Sequence, residues 1–70
     1  MNDQLDEAVN NFEQAIKLDP NDADFYYDLA NTLREQGKYD MAIDNYAKAI
    51  KLDPNNADYY YDLGLALAAD

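Results

Sequence analysis

Apolar side chains at Tyr26, Leu29, Ala30 and Leu33 fall at the i, i+3, i+4, i+7 spacing of one helix face, with polar residues between them. The same spacing returns at Ala42, Tyr46, Ala49 and Ile50, with Ile43 alongside, and at Ala8, Phe12, Ala15 and Ile16. Tyr60, Leu63, Gly64 and Leu67 make a fourth stripe. The breaks are equally legible. Gly37 supplies the left-handed residue that ends a helix. Pro20 and Pro54 cannot continue one and push the preceding aspartate towards extended geometry. Asp6 and Asp40 stand where N-caps are expected, and Asn21 and Asp22 read as turn and cap residues. The pattern predicts four helices, at about 6–19, 23–36, 40–52 and 57–69, joined by the turns DPND, GKY and DPNN. This is an all-α chain of antiparallel helix-turn-helix pairs, with Tyr26, Leu29, Phe12, Ala15, Tyr46, Ala49 and Leu63 expected to be heavily buried.

The pattern also repeats. The heptamer AIKLDPN occupies residues 15–21 and again 49–55, and AD-x-YYDL follows each copy, all offset by 34 residues. A fixed period of about that length in a helical sequence marks a stacked array rather than a symmetric bundle. Small residues at Ala8, Ala15, Ala30, Ala42, Ala49 and Gly64 let helices approach closely, and aromatic rings fill the intervening space.

These residues resemble the tetratricopeptide repeat. Tyr26, Leu29, Ala30, Gly37, Tyr39, Ala42, Tyr46, Ala49 and Pro54 follow that family's pattern through the central unit. Ala8, Phe12, Ala15 and Pro20 continue it before, and Tyr60, Leu63 and Gly64 after. The agreement lies close to an idealised consensus, as an engineered or designed repeat would, beside the alternative of a natural fragment. The resemblance implies one domain over 1–70, a short right-handed solenoid with its helices in B-A-B-A order. Residues 1–22 form a half repeat (second helix), 23–56 a full repeat and 57–70 a half repeat (first helix), with no polar capping helix.

Composition narrows the function. There is no cysteine, no histidine and no serine, and Thr32 is the lone threonine, so no nucleophile–base pair can be assembled. No catalytic residue, metal or cofactor is expected. Asp19, Asn21, Asp22 and Asp24 offer oxygen ligands, but without the glycine and closing glutamate of a calcium loop. Fifteen acids against five bases give a formal charge of −10, which repels nucleic acid and anionic lipid. The longest uncharged run, 63–69, is far short of the roughly 20 residues of a membrane span, and the acidic amino terminus is no signal peptide. A cytoplasmic or recombinant setting is expected.

A protein or peptide partner remains. In the family the first helix of each pair lines a concave groove, which by position would carry Asp24, Tyr27, Asp28, Asn31 and Glu35. Asp58, Tyr61, Asp62, Leu65 and Ala69 are its counterparts in the last helix. Such a groove suits a Lys- or Arg-bearing segment, although plain solvated helix faces would carry the same residues. An acidic chaperone tail would be repelled. Leu65, Ala66, Ala68 and Ala69 replace the polar Asn31, Thr32, Arg34 and Glu35 of the internal helix. Strong helix propensity explains alanine and leucine there, and so does a face covered by something else. The second explanation predicts a non-enzymatic assembly scaffold that self-associates through its terminal helices. A homodimer with Leu65, Ala68 and Ala69 at the contact is expected, with head-to-tail assembly as the alternative.

Overall fold

The computed structural model describes residues 3–70. It contains four helices: α1 (Asp3–Leu18), α2 (Ala23–Glu35), α3 (Tyr39–Leu52) and α4 (Ala57–Ala69). Among the described residues there is no strand. Each helix packs on its neighbour in sequence, and α2 also touches α4, so the chain is a row of stacked helices.

The connections explain the repeat. Asp22 and Asn56 cap α2 and α4, each side-chain oxygen accepting from the backbone N–H two residues on at 3.0 Å. The Tyr26 and Tyr60 hydroxyls then donate to the carbonyls of Pro20 and Pro54, both at 2.9 Å. The same turn is thus built twice, and each time a tyrosine from the first helical turn locks it.

Between α2 and α3 the reversal is tighter. Gly37 takes φ 79°, its N–H donates to the Arg34 carbonyl at 3.0 Å, and the Lys38 N–H donates to the Leu33 carbonyl at 2.9 Å. That pair of bonds is a Schellman stop. Lys38 then serves at once as the cap of α3, without any side-chain bond. The expected cap Asp40 therefore lies inside the first turn of α3, where its charge still favours the helix N-terminus. Asp6 is likewise no cap, because α1 is already helical at Asp3. Its carboxylate instead accepts from Gln36 Nε2 at 2.7 Å, tying α1 to the end of α2.

The core sits between α2 and α3 and reaches α4. Leu29, Ala30, Leu33, Ala42, Tyr46 and Ala66 form one buried cluster, with Val9, Phe12, Ile16 and Leu63 packed at its margin. Ala49 and Tyr59 are also fully enclosed. Of the residues expected in the core, Leu29, Tyr46 and Ala49 are buried, whereas Phe12, Ala15, Tyr26 and Leu63 are only half-buried. For Phe12 and Ala15 the cause is one-sided packing: α3, covered by both α2 and α4, hides Ala42, Tyr46 and Ala49, whereas α1 is covered by α2 alone. Ala49→Leu should therefore cost about 1–3 kcal/mol through overpacking. Ala15→Leu, at the repeat-equivalent position with room beside it, should cost less, and the difference in urea midpoint measures the effect.

Candidate functional site

Side by side, α2 and α4 present the residues expected to line a concave face, and the structure joins several of them directly. Tyr27 donates its hydroxyl to Asp62 Oδ2, and Tyr59 donates its own to Asp24 Oδ1. Both links span 35 residues and run in opposite senses, so they form two rungs between the helices. The rings of Tyr27 and Tyr59 lie between the rungs with centroids 4.9 Å apart, tilted by 37°. That tilt avoids the face-to-face sandwich that the aromatic quadrupole disfavours.

A third link comes from α3. Tyr46, fully buried, points its hydroxyl at the edge of α2, where it donates to Asn31 Oδ1. Arg34 closes the arrangement. Its Nε donates to the Tyr46 oxygen at 3.1 Å and its Nη2 to Asn31 Oδ1 at 3.5 Å, with Asp62 Oδ1 3.8 Å away. Asp62 is a mostly buried carboxylate, and it stays satisfied because a phenol and a guanidinium both face it.

This environment shifts proton affinities in one direction. The hydrogen bond to Asp62, then burial, pushes the Tyr27 phenol up. Burial pushes Tyr46 up against the opposing pull of Arg34. Burial and the bond to Asp24 push Tyr59 up furthest. Asp28 also rises, through burial first and then the charges of Asp24 and Asp22.

The expected groove residues thus divide. Asp24, Tyr27, Asn31 and Asp62 are brought together, but as partners of one another and of Tyr46, Tyr59 and Arg34. Asp28 is half-buried without a hydroxyl opposite it. Glu35, Asp58 and Tyr61 face solvent, Tyr61 being 69% exposed. Tyr59 lies off the expected stripe of Tyr60, Leu63 and Leu67. The missed signal is a second stripe on the same helix, Tyr59, Asp62 and Ala66, at spacings of three and four.

That second stripe corrects one expectation at the apolar end of α4. Ala66 is fully buried against this chain's own core and cannot lie on an open contact face. Leu65, Ala68 and Ala69 are exposed. So is an apolar strip beside them: Tyr60 is 50% and Leu67 56% exposed, and a Cβ at Gly64 would meet open space. On α2 the counterpart Leu33 is 1% exposed and Ala30 fully buried, because α3 covers them.

A family model described as a TPR repeat matches residues 30–70, and a second, described as a tetratricopeptide repeat, matches residues 11–44. No curated protein matches the chain significantly. Among the described residues, no helix is long and apolar enough to cross a membrane.

Proposed function

The chain belongs to the tetratricopeptide repeat family, whose repeats generally mediate protein–protein interaction, and from that premise we propose a scaffold that self-associates through α1 and α4. The observation that carries this reading is the open strip of α4. Tyr60, Gly64 and Leu67 repeat, in the 70-residue chain, the very face that α3 seals on α2. An apolar helix face of that kind gains by being covered. A small four-helix chain without disulfide or metal staples gains stability from the same event, since anything that binds only the folded state raises it.

Sedimentation over a concentration range tests this. The average mass and the melting temperature should both rise with concentration. Leu67→Lys, which places a charge on the strip, should return the chain to monomer while leaving its helicity intact. A chain that stays monomeric at millimolar concentration would remove the proposal.

The open carboxylate of Asp58, the exposed Tyr61 ring and the half-buried Asp28 support a second reading, an acidic groove for Lys- or Arg-bearing peptides. It is the weaker one, because Asp24 and Asp62 already hold intramolecular partners. Salt separates the two. Basic-peptide binding should fade as ionic strength rises, whereas association of two chains of charge −10 through an apolar strip should strengthen.

A further inference from the structure

The internal repeat states what kind of surface fits the open strip of α4. With the offset of 34, α4 is the counterpart of α2, and α1 is the counterpart of α3. On α2 the strip is covered by α3. The helix built to cover α4 in the same way is therefore α1 of a second copy. The complementary face of α1 is available: Ala8, Phe12 and Ala15 are half-buried, where Ala42, Tyr46 and Ala49 of α3 are fully buried.

The differences between the two helix pairs are as informative as the likeness. Within the chain, the Tyr46 hydroxyl of α3 reaches Asn31 and Arg34 of α2. Across the supposed junction the corresponding residues are Phe12 on α1 and Leu65 and Ala68 on α4. The hydroxyl and both of its polar partners are absent together. A tyrosine facing Leu65 and Ala68 would bury an unpaired hydroxyl, and a phenylalanine facing Asn31 and Arg34 would strand two polar groups. Each pairing within the sequence avoids that cost.

We propose that copies of this chain join head to tail, α1 of one copy docking on α4 of the next as α3 docks on α2, with Phe12 packed against Leu65 and Ala68. One rung of the concave face continues across the junction. Tyr61 occupies the place of Tyr27, and the partner's Asp28 occupies the place of Asp62, so the open hydroxyl meets the carboxylate that lacks one. The other rung ends there, because Asp58 meets Phe25 where Asp24 meets Tyr59; Asp58 stays solvated. The contact joins two different faces, and the small rotation between stacked repeats does not bring it back on itself, so the assembly grows rather than closing as a dimer.

This inference rests on self-association and adds its register and polarity. Sedimentation of the 70-residue chain and three variants at fixed salt tests it, with circular dichroism confirming that each remains folded. Phe12→Tyr should weaken association about tenfold or more, and so should Leu65→Asn with Ala68→Arg. All three substitutions together should rebuild the Tyr46–Asn31–Arg34 arrangement across the junction and recover most of the loss. The unmodified chain should pass beyond dimer as concentration rises. A mass that stops at dimer, or a triple variant no stronger than the weaker of its parents, overturns the head-to-tail register while leaving self-association standing. A chain monomeric at every concentration removes both.

Discussion

Tyr46→Ala should strip the chain of a large part of its stability. Tyr46 is fully buried, lies in the main core cluster, and carries the hydroxyl that links α3 to α2. Truncating a buried aromatic costs about 3–5 kcal/mol through lost burial and the cavity left behind. A domain of this size has a total stability on the order of 4–10 kcal/mol, so the loss takes at least about a third of it. Tyr46→Phe separates the two contributions. It keeps the ring, strands Arg34 Nε and leaves Asn31 Oδ1 with Arg34 Nη2 alone, at a cost of about 1–2 kcal/mol because the half-exposed Arg34 can turn to water. Urea titrations followed by far-UV circular dichroism give both values. A loss below about 1 kcal/mol for the alanine variant would show that α2 and α3 hold together without this residue.

Alkaline pH should unfold the protein along a tyrosine titration. Tyr27, Tyr46 and Tyr59 all have phenols pushed above their ordinary value: Tyr27 by its bond to Asp62 and by burial, Tyr46 by burial, and Tyr59 by burial and its bond to Asp24. Below about pH 10 the folded and unfolded chains both keep these protons, and their full contribution is present. Above that the unfolded chain releases protons that the folded chain retains, so stability falls as pH rises. The loss should therefore begin near pH 10 and steepen beyond it, with tyrosinate absorbance appearing as helicity disappears. Tyr59→Phe, which removes the phenol pushed up furthest and puts at residue 59 the residue found at Phe25, should flatten the profile. An unchanged profile in that variant would mean the rungs do not govern the alkaline transition.

The helices were legible because their signals are local. Period, proline and Gly37 mark four segments, and α4 begins and ends where the pattern puts it. The starts of α1 and α3 were not, for a definite reason. Aspartate is the better cap in isolation, but the Schellman reversal uses Gln36 and Gly37 and leaves Lys38 directly before α3, so Asp40 arrives too late. The candidate face was legible by position and not by role. Asp24, Tyr27, Asn31 and Asp62 do lie together, yet a sequence cannot show that Tyr59 and Tyr27 satisfy two of those carboxylates. That pairing depends on how closely α4 sits beside α2. Tyr46 read as core from its spacing. Its hydroxyl called for a partner, but only packing decides that the partner lies on Asn31 and Arg34.

The succession of contacts along the row, each helix on the next in sequence, bears on how the protein comes apart. A core that gathers distant segments must dissolve at once. Here α1 or α4 can peel away and leave the α2–α3 hairpin closed, since neither end helix is needed to seal the other. Opening is then a matter of zippering from the termini, with the middle pair the last to exchange its amide hydrogens. A single melting temperature would describe that middle pair and overstate the order at both ends.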